Sequence, residues 1–523
     1  MPNAPFIALE VHDASLWEPS RILPMVDKME AWGYNALVLH QNDLLDACTQ
    51  LGLTANYGVS DLRLKKVRNN AAWLNRLTER LAKFNARLFL EIKEPSFHDY
   101  ALEHVPGLLG SDGLPDPTRP DWVGFCRAKT QDLLARVPEL GGLIINLSSP
   151  ESRVSLPDFV VGEQAMTDTT QWFTQMIDAF QGPLGDAGKT LYVRDFSYTT
   201  DMQSDVLGAV ETFNGKVGAS LKITAHDYFP KFPENPAAAS VKVPLIFEFE
   251  AFGEHTGWGV IPNCRVGEFR ERAKGYREKG ASGLLMRVSW EAITGANAFD
   301  SLSAVNVFAL PRLAAEDCDE VELVSHWLIE SFGLQTDLAG QAARLMLESW
   351  KIPAASYWHG KVFPRHSCLP STWQEGWLSM QTSGMGRRDR ELGILPDDPM
   401  LSEAARVKLF EEKEQATGTA YQLAREAKGL SEKLPPALAS IFSAFDWLPM
   451  FARQFELASK ATYFAARRQA GDATELALLA TELTNLRGEI AAKLADMPED
   501  ANHHAHVLFD PTQIDRFVSS LAD

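Results

Sequence analysis

The sequence predicts a (β/α)8 TIM barrel followed by a C-terminal α-helical domain, and three observations predict it. Eight short runs rich in aliphatic and β-branched residues recur between residues 6 and 288. Amphipathic helical patterns separate them, such as 71–83, 122–135, 169–180 and 266–279. Beyond about residue 310 the short runs stop and the pattern becomes helical. Strands that alternate with helices form parallel βαβ units, and eight in succession close into a barrel. The expected division is a barrel over 1–310 and a helical domain over 311–523.

The strands read, in order, as 6–12, 35–40, 87–92, 142–147, 190–195, 218–224, 244–249 and 283–288. Gly33, Gly141 and Gly280 stand just ahead of strands, where glycine closes the preceding helix in the left-handed conformation. No Gly-x-Gly-x-x-Gly follows the first strand, so a dinucleotide fold has no support. The long connections, 41–70, 93–121 and 148–168, each follow a strand. In a barrel such segments gather on the C-terminal face and build a substrate cleft.

Downstream, helices are expected at 320–332, 338–350, 404–428, 437–470 and 474–497. The aromatic residues Tyr357, Trp358, His359, Trp373 and Trp377 read either as sugar-stacking surface over the barrel mouth or as core or dimer contacts. The stretch 438–463, rich in Phe, Trp and Met, reads as a core helix or a dimer face.

Composition narrows the function. Fifty Lys and Arg against 69 Asp and Glu give a net charge of −19, with no basic stripe to follow a phosphate backbone, so nucleic-acid binding is not expected. The five cysteines are far apart and show no C-x-x-C spacing, which argues against a disulfide framework and against a zinc ribbon. No stretch approaches the ~20 apolar residues of a membrane span, and residues 1–5 lack a charged, apolar leader pattern. A cytoplasmic location is expected.

The polar residues at strand ends are His12, Asp13, His40, Asn42, Glu91, Lys93, Asn146, Glu151, Arg194, Asp195, Lys222, His226, Asp227, Glu250, Glu254 and Arg287. Such a carboxylate-rich mouth with a few cations suits acid/base work on a sugar. Glycoside cleavage needs one carboxylic acid to protonate the leaving oxygen and a carboxylate to activate water or to attack. The same residue types also suit a divalent metal in a sugar isomerase or epimerase, with Glu151, Asp227 and Glu254 as ligands. A non-catalytic sugar-binding protein is the third reading.

Leu-Lys-Ile-Thr-Ala-His-Asp (221–227) followed by Glu-Phe-Glu-Ala-Phe-Gly-Glu-His-Thr-Gly (248–257) resembles the paired motifs of the glycoside hydrolase family 67 α-glucuronidases. The resemblance extends to Val-Pro-Glu-Leu-Gly-Gly-Leu-Ile-Ile-Asn-Leu-Ser-Ser-Pro-Glu (137–151), to Leu-Tyr-Val-Arg-Asp-Phe-Ser-Tyr (191–198) and, in collinear order, to segments across residues 5–360. It implies Glu151 as general acid, Asp227 and Glu254 as the residues that activate water, and inversion at the anomeric carbon. Arg194 and Lys222 would hold the uronate carboxylate, and Glu91, His226 and His255 complete the expected substrate-binding set. Neither a metal nor another cofactor is expected. The implied partner is an anionic oligosaccharide; the helical C-terminal domain, independently of the resemblance, is compatible with a homodimer.

Three departures bear on this. The family carries a β-sandwich domain ahead of its barrel, whereas the first strand here opens at residue 6. Leu147 stands where the family has a Lys four residues before its acid, and His226 and His255 replace residues of another kind.

Overall fold

The computed structural model describes residues 5–50, 61–149, 151–153, 168–225, 227–230, 232–357, 367–381, 402–467, 472–497 and 499–522. Eight parallel strands close into one barrel in sequence order: β1 (Phe6–Val11), β2 (Ala36–His40), β3 (Arg87–Lys93), β4 (Gly142–Asn146), β5 (Thr190–Arg194), β6 (Val217–Lys222), β7 (Leu245–Glu250) and β8 (Gly283–Arg287). Each lies within two residues of the expected bounds. Strands buried on both faces read as nearly continuous apolar runs, which makes them legible.

The barrel floor is apolar. Phe6 and Phe89 meet edge to face with ring centroids 5.0 Å apart, and Tyr192 lies 5.5 Å from Phe6. Val38, Ile144, Ile246 and Leu285 complete this tier. Three glycines make room for the rings. A Cβ on Gly218 would lie 2.5 Å from the Tyr192 ring, one on Gly283 2.6 Å from Phe6 Cβ, and one on Gly142 2.8 Å from the Phe89 ring. The lumen is thus a packed core rather than a pore.

The chain divides into two compact units. One comprises 1–223, 234–249 and 275–295; the other comprises 224–233, 250–274 and 296–523. The segments that follow β6 and β7 therefore cluster with the C-terminal helices.

In the second unit the helix Leu448–Arg467 is central, with Phe451, Phe455, Ala461 and Tyr463 among its buried residues. It packs against the helices Glu403–Ser431 and Asp472–Ala495. Leu438, Phe442 and Trp447 are buried as well, so the apolar stretch 438–463 is core. Trp377 packs against Leu409 and Tyr463. Trp358 and His359 lie outside the described residues, as does the Tyr357 side chain. Among the described residues, no helix is long and apolar enough to cross a membrane.

Candidate active site

Two positions above the apolar floor, all eight strands turn polar: Glu10, His40, Glu91, Asn146, Arg194, Ser220, Glu248 and Arg287, each at most 4% accessible. Side chains alternate across a strand, so a step of two keeps the same inward face. Arg194 Nε lies 3.0 and 2.9 Å from the two Glu248 oxygens and 3.2 Å from Glu91 Oε1. The Ser220 hydroxyl donates to Glu248 Oε1 at 2.6 Å, and Arg287 Nε to Glu10 Oε1 at 3.1 Å.

Burial pushes the Glu91 carboxyl well above the usual range, and the nearby Glu10 carboxylate adds to the push against the opposing charge of Arg194. Glu248 pairs with the Arg194 guanidinium and Glu10 with that of Arg287. A buried layer tolerates charge only when it balances in this way.

Within this layer the His40 ring stacks on that of His12, which lies two residues beyond Glu10, with centroids 3.5 Å apart. His40 Nδ1 lies 2.8 Å from Glu10 Oε1 and 3.2 Å from Glu91 Oε1, and His12 Nδ1 lies 3.1 Å from Glu291. Burial lowers both histidines well below their ordinary value, and surrounding cations, Arg287 prominent among them, lower them further. Both are neutral near pH 7. Glu10 Oε2, His40 Nε2 and Asn146 Nδ2 are buried with no hydrogen-bond partner among the described residues.

Glu151 follows β4 and keeps 45% of its side chain accessible, while the Lys93 side chain, whose ammonium hydrogen-bonds it, is 2% accessible. Burial alone would raise the Glu151 carboxyl. The charge and hydrogen bond of Lys93, with the charges of Lys222 and Arg194, outweigh burial and hold it below the usual range. This reverses the raised value expected of a general acid: the neighbour that decides is an ammonium, not a carboxylate. Lys222 is buried with its ammonium 4.2 Å from the Phe196 ring centroid.

The second unit holds the other predicted carboxylates. His255 Nε2 lies 3.3 Å from Asp227 Oδ2 and 3.6 Å from Glu254 Oε1, and its ring sits 4.0 Å from that of Phe229. The loop after β7 is built to aim Glu254. Both oxygens of Glu250 accept backbone N–H groups, from Gly253 at 2.6 Å and Glu254 at 3.2 Å, and the Ser367 hydroxyl donates to the Glu254 carbonyl at 2.8 Å. Glu250 is thus a loop cap. His226 lies outside the described residues.

Glu10, His12 and His40 bring one ligand-type atom each to within 4.8 Å of one another, and so do Asp227, Glu254 and His255. Either trio offers the donor types that a divalent transition metal takes.

Sequence reasoning missed Glu10, Ser220 and Glu248. Their signal is position: each shares the inward alternation of Glu91 and Arg194, and a charge inside a doubly buried strand requires a partner.

No family model and no curated protein sequence matches the chain. Among solved structures it is similar to a GH138 enzyme targeting pectin rhamnogalacturonan II, with a TM-score of 0.63 and 14% identity over 98% of this chain. The chain spans 63% of that protein's length. A β-N-acetylhexosaminidase from Bacteroides fragilis is also similar, at 10% identity and a TM-score of 0.43, covering 63% of this chain and 70% of that one. The first likeness concerns the fold; the second adds nothing to it.

Proposed function

We propose that the protein is a glycoside hydrolase that removes an α-linked uronic acid from an oligosaccharide with inversion. One observation carries the reading: the half-exposed Glu151 lies under the charges of three cations, Lys93, Arg194 and Lys222. A carboxyl group beside clustered cations suits a substrate that brings its own carboxylate. The buried, unpartnered Asn146 Nδ2 and His40 Nε2 suit sugar hydroxyls. The motif resemblance supplies the roles. Glu151 donates the proton to the leaving oxygen, and Asp227 and Glu254 position and deprotonate water. His255, Glu91, His226, Arg194 and Lys222 support binding. Inversion requires an acid-to-base separation of roughly 6.5–9.5 Å.

Digestion of a panel of xylan-derived and pectin-derived acidic oligosaccharides, with the product anomer read by NMR, tests this. Release of a β-configured uronic acid is the expected result; an α-configured product or no release counts against it. Light scattering of the purified protein tests the accompanying proposal of a homodimer.

The second reading is a metal-dependent sugar isomerase or epimerase, favoured by the two His–carboxylate trios. Elemental analysis separates the two, because a stoichiometric divalent ion required for turnover would replace the hydrolase reading.

A further inference from the structure

Lys93 and Asn146 are register partners on β3 and β4, and Glu151 follows β4 by five residues. This adjacency brings the Lys93 ammonium onto Glu151 Oε2. The ammonium is buried and the carboxylate half exposed, so the cation is the fixed member of the pair. A buried ammonium left without an anion is strongly penalised. Any group that takes Glu151 away must leave another anion in its place.

The charged groups that face Glu151 are Lys93, Lys222 and Arg194. Arg194 Nε is committed to Glu248, and Lys222 sits over the Phe196 ring. Lys93 alone of the three is hydrogen-bonded to Glu151 in the contacts described. A carboxylate held this way is a poor proton donor, yet departure of a glycosidic oxygen from an unactivated sugar needs a proton.

We infer that Lys93 determines specificity by gating the acid: the carboxylate of a bound uronic acid replaces Glu151 as the partner of Lys93, and Glu151, released, becomes the proton donor. The inference rests on the reading of Glu151 as general acid. The proton enters from solvent through the exposed side of Glu151. It is then transferred to the glycosidic oxygen as the anomeric C–O bond breaks and its electron pair stays on that oxygen. Attacking water forms the new bond to the anomeric carbon and gives up its proton to one of the proposed bases, Asp227 or Glu254, while Glu151, having protonated the leaving oxygen, ends as a carboxylate, ready to return to Lys93. A neutral sugar supplies no anion and leaves the acid ionised. Discrimination therefore falls on kcat more than on KM.

The test uses the full chain labelled with 13C at glutamate carboxyls, with the Glu151 signal assigned by its loss in Glu151→Gln. Saturation with free glucuronate is expected to raise the Glu151 titration midpoint by roughly one unit or more, and glucose to leave it in place. Lys93→Met, with Lys93→Gln as the second variant, is expected to raise the midpoint in the free protein by a similar amount. Unchanged titration in both variants, or an equal shift with glucose, overturns the inference. Failure of glucuronate to bind overturns the uronate reading and the exchange with it. The free-protein titration then still reports separately whether Lys93 holds Glu151. In turnover, Lys93→Met is expected to cut the kcat preference for an α-uronosyl disaccharide, whose unactivated leaving oxygen needs the acid, over its methyl ester by roughly tenfold or more. Equal losses on both substrates mean that Lys93 merely supports the fold.

Discussion

Arg194 on β5 and Glu248 on β7 form a buried ion pair in the lumen, with Nε 3.0 and 2.9 Å from the two carboxylate oxygens and the Ser220 hydroxyl on the same carboxylate. Truncating one partner leaves the other charge buried and uncompensated. Glu248→Ala is therefore expected to lose about 3–5 kcal/mol in urea denaturation, and Arg194→Met combined with Glu248→Met to recover part of that loss. A loss below about 1 kcal/mol for the single variant would mean that water reaches this layer.

The stacked histidines predict a pH dependence of stability. His12 and His40 have values well below the ordinary one when folded, chiefly through burial, whereas in the unfolded chain they titrate near ~6.5. Below that pH the unfolded state takes up protons that the folded state refuses, so stability falls as pH drops from about 6.5 toward the folded values. Glu91, raised when folded, acts in the opposite sense: its contribution is present below the unfolded carboxyl value and is lost as pH rises through the folded one. Chemical denaturation at pH 7.0, 6.5, 6.0 and 5.5 should show a shallower acid loss in the double variant His12→Gln, His40→Gln. Equal slopes would place the proton uptake elsewhere.

The Glu254 loop depends on a residue without a side chain. Gly253 has φ +91°, and a Cβ there would lie 2.7 Å from Thr256 Oγ1 and 2.9 Å from Asn263 Nδ2. Gly253→Ala is expected to cost about 1–2 kcal/mol and to lower turnover by displacing Glu254. Gly208→Ala serves as the control: it lies in the helix Thr200–Glu211 with open space around it, and is expected to gain up to about 1 kcal/mol. Thermal denaturation together with kcat distinguishes the two.

A general acid is most needed when the leaving group is poor. Glu151→Ala should reduce hydrolysis of a natural linkage by roughly 10²–10⁴-fold while sparing an activated aryl glycoside far more. Parallel losses on the two substrates would remove Glu151 from the role of acid.

The sequence alone determined the barrel. Strands covered on both sides must be apolar along nearly their whole length, so their bounds were readable, as were most of the helices, though the one expected at 71–83 begins at Asp61 and the one expected at 437–470 divides into Pro436–Phe442 and Leu448–Arg467 with a 3-10 turn between. It also located the carboxylates Glu151, Asp227 and Glu254, because residues that follow strands are marked by chain position. What it could not decide was which charges meet. Glu248 lies inside an apolar run, and its partner Arg194 stands 54 residues earlier. Lys93 and Glu151 are 58 residues apart and meet because β3 and β4 pair with Lys93 beside Asn146. Barrel closure and register bring such groups together. Desolvation and the charge of those neighbours then shift each carboxyl, pushing Glu91 well above the usual range and holding Glu151 below it.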